Sequence, residues 1–463
     1  MRTIGIVIVD GIGIRNYLYS DIITLLKQQN IEVILLHSIS QNAIVEIENQ
    51  HSQKIKLKRL PNYKESFREK FLRELIAISR LKFNKKLVQN EAIINNWNPN
   101  KKKLKNYIFY TVIEILSFFL TKNYNFILKL ERKYQNAIDS SLYDTFFSDL
   151  KLDVILNTHQ RAVKAVPLIK KAKQLKIKTI GAIFSWDNIP KARLSVRTDL
   201  YFVWSEYMKK ELLQFYSEIN ENDIFVTGTP QFEFYLKEDL IENKEDFFEK
   251  YHLDSNKKTI CFSGDDTRTS PYDPLYLEDL AQAIATMPKE NQYQILLRRC
   301  PVDVSGRFDK VVDKFPEIIK KAVPLWNFDK SKKNDWTLVY PTFNDVKLLV
   351  NTVKHCDVVI NVGSTMAHDF AMIHKPAIYI NYDVPINQNW SVKRIYKIHH
   401  FRSMNTLNPV FWLNNKNLIL DTLNKALESD KTSKEIIDGQ KWLNLISTDR
   451  EIASKNITNL LLK

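Results

Sequence analysis

"TIGIVIVDGIGIRNYLYSDIITLLKQQNIEVILL", residues 3–36, decides the fold. It begins and ends on β-branched apolar runs, "TIGIVIV" (3–9) and "IEVILL" (31–36), separated by the helical pattern "YSDIITLLKQQN". Apolar runs that do not alternate are strands buried on both faces, and a helical crossover pairs them in parallel. The stretch therefore opens a parallel sheet covered by helices. The alternation returns at "DVILNT" (153–158), "KTIGAIF" (178–184), "DLYFVWS" (199–205) and "DIFVTGTP" (223–230).

A second series begins at "KTICFSG" (258–264). It continues through "YQILLRR" (293–299), "WTLVYP" (336–341), "DVVINVGS" (357–364) and "PAIYINY" (376–382), with helical patterns between them. The expected class is α/β, with two Rossmann-like doubly wound domains. We place the first at 1–236, a polar, acidic linker at 237–257, the second domain at 258–415 and C-terminal helices at 416–463. Residues 62–150 interrupt the first series as a helical insertion. Its apolar run 107–120 contains Glu114 and is flanked by Lys101, Lys102, Lys103, Lys105 and Lys122. That pattern suits a helix lying on an anionic membrane surface; the alternative is a buried helix with solvated basic ends.

At 463 residues the chain exceeds one ordinary core, and its formal charge of +15 calls for an anionic partner. No zinc spacing, RNA-binding signature or basic heptad region occurs, so nucleic acid is not expected. Cys261, Cys300 and Cys356 are few, odd in number and far apart, as in a cytoplasmic protein with reduced thiols. The N-terminal apolar run breaks at Asp10 and reads as a strand rather than a signal peptide, and no run approaches the ~20 apolar residues of a spanning helix.

Doubly wound sheets bind ligands at the carboxyl ends of their strands. Several of the nine glycines fall there: Gly11, Gly13, Gly228, Gly264 and Gly363. In "NVGSTMAHDF", Gly363 permits a close turn. Ser364 and Thr365 then stand at a helix N-terminus, where unpaired N–H groups favour a phosphate. Asp369 follows at a distance suited to a ribose diol. A plain helix N-cap is the structural alternative.

In these residues the chain resembles glycosyltransferases of the two-Rossmann-domain GT-B superfamily. "GSTMAHD" has the family's Gly-to-acid spacing, and "VWSEYMKKELLQFYSEINENDIFVTGTPQFEFY" is similar to the segment that closes the N-terminal domain. "VGSTMAHDFAMIHKPAIYINYD" is also similar to CDP-glycerol glycerophosphotransferases and surface-polysaccharide transferases. The chain departs in having Asp369 where many members have Glu, and in lacking a preceding His-Gly pair. The resemblance implies two domains facing a cleft, with a nucleotide-sugar site, here expected to be UDP-linked, at Gly363, Ser364, Thr365 and Asp369.

Arg268 in "SGDDTR" and Arg298 and Arg299 in "LLRRCP" end the first two strands of the second series and are expected to hold the donor diphosphate. No Asp-x-Asp triplet occurs, so neither metal nor other cofactor is expected. On the acceptor side, Asp10, His159 and Asp187 are the candidate bases, with Asp10 ranked first. Gly11, Gly13, Arg15, Arg161, Trp186 and Asn188 are candidate acceptor contacts. An inverting enzyme needs such a base; a retaining one does not. The expected function is metal-independent transfer of a sugar to a glycan or lipid-linked hydroxyl in surface polysaccharide assembly. The expected location is cytoplasmic and peripheral on the inner membrane face. Alternatives are a CDP-glycerol-type transferase, a UDP-sugar epimerase, and a non-catalytic membrane- or glycan-binding protein.

Overall fold

The computed structural model describes residues 2–11, 13–328, 339–386 and 390–463. The chain forms two compact units. Residues 1–229, 398–400 and 452–463 make the first, and residues 230–397 and 401–451 make the second.

The first unit is built on seven parallel strands: β1 (Thr3–Ile8), β2 (Glu32–His37), β3 (Lys56–Arg59), β4 (Val154–Asn157), β5 (Lys178–Ala182), β6 (Leu200–Val203) and β7 (Ile224–Val226), in the order β3-β2-β1-β4-β5-β6-β7. Every residue of β1 and β4 is buried, as their apolar runs require. The chain winds outward from β1 to β3, then restarts beside β1 at β4. The topological switch point therefore lies between β1 and β4, where Val7 is in register with Asn157. β3, "KLKR", closes the edge with mostly exposed lysine and arginine, a composition that discourages further pairing.

The expected helical insertion is present. Helix Phe67–Leu87 starts at a capping box in which Ser66 and Glu69 satisfy each other's backbone N–H groups. Helices Leu104–Leu120 and Tyr124–Ala137 follow. Leu72, Ile76, Ile127 and Tyr134 join Val7, Leu36 and Ile155 in one apolar core. The fully buried Arg80 ties this insertion to the end of helix Glu206–Phe215, which follows β6. It donates to Tyr124 Oη (2.9 Å), the Phe215 carbonyl (3.1 Å) and Glu218 (2.7 Å), and pairs with Glu131. Arg197 reaches the same two glutamates at 2.6 and 2.8 Å.

Helix Leu104–Leu120 buries only Ile113 and Ser117. Leu104, Tyr107, Ile108, Val112, Ile115, Phe118 and Phe119 are all exposed, Phe118 by 62% and Phe119 by 61%. The reading of this segment as a buried helix is thereby excluded. No helix among the described residues is long and apolar enough to cross a membrane.

The second unit has six parallel strands: β8 (Thr259–Ser263), β9 (Gln294–Arg298), β10 (Ile319–Lys321), β13 (Val358–Asn361), β14 (Ala377–Ile380) and β15 (Phe411–Leu413). A separate hairpin joins β11 (Trp326–Phe328) to β12 (Val339–Pro341). The order β10-β9-β8-β13-β14-β15 places this unit's switch point between β8 and β13. Of the expected strand 336–341, residues 336–338 lie outside the described residues. The remainder pairs antiparallel with β11 instead of entering the main sheet.

Residues 237–257, expected as a linker, are folded into the second unit. Phe247 and Phe248 of helix Lys244–Lys250 are buried, and the Glu242 N–H donates to Asn351 Oδ1 at 2.7 Å. The C-terminal region is helical at Ile419–Leu427, Lys434–Ile446 and Ala453–Leu461, and the last of these belongs to the first unit, against helix Ile22–Gln28.

Candidate functional site

In the first unit, the loops after β1 and β4 meet at the switch point. Asp10 is buried, and its Oδ2 lies 2.7 Å from His159 Nδ1. An Nδ1–H donated to that carboxylate leaves Nε2 as the ring's acceptor, the arrangement of an oriented general base. The structure thus pairs Asp10, ranked first as base from sequence, with His159, another of the candidates. Gly13 is required by proximity rather than by its φ, which is −74°: a Cβ there would sit 2.5 Å from Thr158 Oγ1. Gly11 lies on the same turn and its carbonyl accepts from the Ile14 N–H at 3.3 Å. Arg15 bonds Asn16 Oδ1 at 3.2 Å.

Gln160 fixes the loop after β4. Its side-chain oxygen accepts from the Phe184 N–H at 2.9 Å and its carbonyl from the Val196 N–H at 3.1 Å. This holds Arg161 against the segment after β5, where its Nη1 donates to Asn188 Oδ1 at 3.1 Å. Asn188 donates in turn to Asp187 Oδ1 at 2.9 Å, which Ser185 Oγ also reaches at 2.7 Å. Burial pushes the Asp187 carboxyl up, but Lys191, paired to it, and His400 pull it well below the usual range. Lys191 and His400 thus favour the ionised form of Asp187. Trp186, a candidate acceptor contact, is buried with its ring 4.5 Å from that of His400. Burial lowers His400 to about 4, against the pull of Asp187.

In the second unit, Gly363 stands where the sequence suggested a close turn, and its φ of +67° is left-handed. The Ser364 N–H donates to Asn361 Oδ1 at 2.7 Å, and the Ser364 carbonyl accepts from Tyr379 Oη at 3.0 Å. Thr365 is exposed and makes no side-chain cap bond; helix Met366–Ala371 carries Asp369, which is buried. Across the switch point, Gly264–Arg268 follow β8, and the Arg268 side chain is exposed.

Arg298 and Arg299 are placed otherwise than expected. Arg298 is buried in an ion pair with Asp345, its Nη2 at 3.1 and 2.9 Å from the two oxygens. Asp345 also takes the Leu325 N–H and Trp326 Nε1, so the pair anchors the β11 strand. Arg299 curls onto its own loop, donating to the carbonyls of Cys300, Pro301 and Asp303. It nevertheless borders a cavity of about 260 Å³ shared with Val304, Phe308 and Lys321.

Sequence reading missed Arg307, which lies far along the chain from the loop it serves. It donates to the carbonyls of Ser270 and Asp265 at 2.7 and 2.6 Å and to Asp303 at 2.5 Å, bracing the loop after β8. It also missed Arg193, although that residue lies inside "FSWDNIPKAR". The segment 398–400 was missed too. It brings His399 to 3.4 Å from the buried Glu211, whose carboxyl burial pushes up.

No protein-family model matches the chain, and no curated protein sequence does. Solved structures match its fold over the whole length. The UDP-GlcNAc 2-epimerase from Methanocaldococcus jannaschii is 12% identical, with 100% of each chain covered and a TM-score of 0.54. A glycosyltransferase from Rickettsia africae ESF-5 is 13% identical, covering 100% of this chain and 99% of its own, with a TM-score of 0.51. The S. aureus MnaA–UDP co-structure is 13% identical, with 99% and 95% covered and a TM-score of 0.51. At such identities the likeness concerns the fold: two Rossmann-like α/β units in one chain, the GT-B architecture.

The loop after β8 generates a pH prediction. Burial, then the neighbouring Asp273, raises Asp265 to about 7; burial raises Asp273 to about 6. Unfolded aspartates titrate near ~3.9, so between that value and about 7 the folded state holds protons that the unfolded state has lost. Stability contributed here therefore falls as pH rises through that window. Asp265→Asn removes the penalty. Its melting temperature relative to wild type is expected to be a few degrees higher at pH 8 than at pH 5, by calorimetry at both pH values.

Proposed function

We propose that the chain transfers a sugar from a UDP-linked donor to a hydroxyl of a glycan or lipid-linked acceptor, without a metal at the diphosphate, in surface polysaccharide assembly. The observation that carries this reading is the Asp10–His159 pair at the β1/β4 switch point. His159 Nε2 takes the acceptor hydroxyl proton, and the oxygen bonds to the anomeric carbon. The bond from that carbon to the diphosphate oxygen breaks, and the nucleotide diphosphate leaves. Gly363, Ser364 and Thr365 would receive the diphosphate, Asp369 the ribose, and Arg268 would add positive charge to the leaving group. The UDP specificity is supported by fold neighbours named for UDP or UDP-GlcNAc.

The exposed apolar face of Leu104–Leu120 supports the lipid-linked acceptor. The same proposal places the chain peripherally on the inner face of a membrane. Lys102, Lys103, Lys105 and Lys122 border that face and are exposed, complementing an anionic bilayer. A second reading, epimerisation of a UDP-sugar, is favoured by the names of several fold neighbours, but gives that apolar face no use.

Thermal shift with UDP-, GDP-, CDP- and TDP-linked compounds, with and without EDTA, tests the donor. One UDP compound should raise the melting temperature of wild type, indifferent to EDTA, and fail on Asp369→Ala. A response to CDP-glycerol alone would select phosphoglycerol transfer, and a new UDP-sugar formed without acceptor would select epimerisation. His159→Gln should lower kcat by roughly 10²- to 10⁴-fold while leaving UDP binding intact. For the membrane face, Phe118→Ser with Phe119→Ser should weaken binding to vesicles rich in phosphatidylserine by roughly 100-fold, since each phenylalanine contributes about 1.5 kcal/mol or more on burial. Unchanged co-sedimentation of the double variant would sink the membrane contact.

A further inference from the structure

Arg161 stands half-buried at the carboxyl edge between β4 and β5 with little to neutralise it. Its guanidinium makes one hydrogen bond among the described residues, to the neutral amide of Asn188 at 3.1 Å, and no carboxylate lies within 4.0 Å of it. The nearest acid in its chain of contacts, Asp187, is already claimed by Lys191, Ser185 and Asn188. Arg193 is close enough to repel it, and is itself poorly paired: its contact is Glu74, 3.8 Å away. Glu74 is in turn held by Arg73 at 2.6 Å and by Trp97 Nε1 at 2.9 Å. Burial and then Arg193 draw the Arg161 pKa down, more than Asp187 and Asp10 restore it.

Two neighbouring guanidiniums that no carboxylate pairs closely repel each other, and an anion shared between them relieves that repulsion. Gln160 prevents Arg161 from relaxing outward by pinning its loop at both sides. We propose that Arg161 and Arg193 form a phosphoryl-binding site in the first unit, beside the Asp10–His159 pair. A phosphoryl group, with charge near −2, neutralises both arginines at once and accepts their planar forks in bidentate fashion; a single carboxylate leaves one positive charge over. The group belongs either to the donor diphosphate or to a phosphate carried by the acceptor. The site rests on the transfer reading only for which of these it is; phosphoryl binding itself does not require that reading.

The test is isothermal titration with inorganic pyrophosphate and with UDP, on wild type, Arg161→Gln and Lys164→Gln. Lys164 is exposed three residues on, and its loss changes net charge equally. Arg161→Gln should weaken pyrophosphate roughly 10- to 100-fold while Lys164→Gln does not. Equal loss for UDP assigns the site to the donor; unchanged UDP binding assigns it to the acceptor. Without ligand, Arg161→Gln should melt no lower than wild type, because it removes an uncompensated cation and keeps a donor to Asn188. Wild-type pyrophosphate affinity in Arg161→Gln, an equal loss in Lys164→Gln, or a lower ligand-free melting temperature would overturn the site. If no nucleotide binds wild type but pyrophosphate does, the nucleotide-sugar reading fails and the phosphoryl site stands.

Discussion

Parallel strands buried on both faces leave polar chemistry one place to go. β1 and β4 in the first unit, and β8 and β13 in the second, are buried along their whole length. A charged side chain within them would have to be desolvated at a cost of several kcal/mol, and the polar side chains they do carry are small and stand at the strand termini, as Thr259 and Asn361 do. The strand ends escape that constraint. At the switch points, crossovers depart in opposite directions and leave the loops room to hold a ligand. Asp10 with His159, and Gly264–Arg268 with Gly363–Asp369, occupy those two positions.

The loops at this edge are closely packed and cross-linked by hydrogen bonds. Gly13 has no room for a Cβ against Thr158, and a Cβ on Gly264 would meet the Phe308 ring at 2.7 Å. Gln160 and Arg307 each clamp a loop through backbone groups of a neighbouring segment. The insertion needed a different solution, since it lies outside the sheet's own pattern. It is fixed by the buried Arg80 and its two glutamates, an arrangement whose disruption on removing one partner typically costs about 3–5 kcal/mol. Anchored by Phe67–Leu87, helix Leu104–Leu120 can keep its apolar face outward without unfolding the unit.

Legibility in the sequence followed hydrophobic continuity. The fully buried strands and the turn at Gly363 were readable because each needs one residue type in one place. β3 was not, because "KLKR" is an exposed edge strand with no apolar run. β10 and β15 are three residues each, too short to carry a period. Among site residues, those next to a strand end were legible, but their pairings with distant segments were not. Arg298 reads as a ligand arginine until Asp345, 47 residues away, is seen to pair with it. Asp10 and His159 stand 149 residues apart in sequence and are seen as a pair only in the fold. Such roles are set by contacts between distant segments, which spacing along one sequence does not encode.

The central claim, that ligands sit at the switch-point edges, is tested most directly by hydrogen–deuterium exchange with and without saturating UDP. The account predicts slower exchange in peptides covering 264–270 and 363–369, with the amino-terminal ends of β8 and β13 unchanged. Protection confined to those amino-terminal ends, or none at 363–369 while UDP is bound, would contradict it.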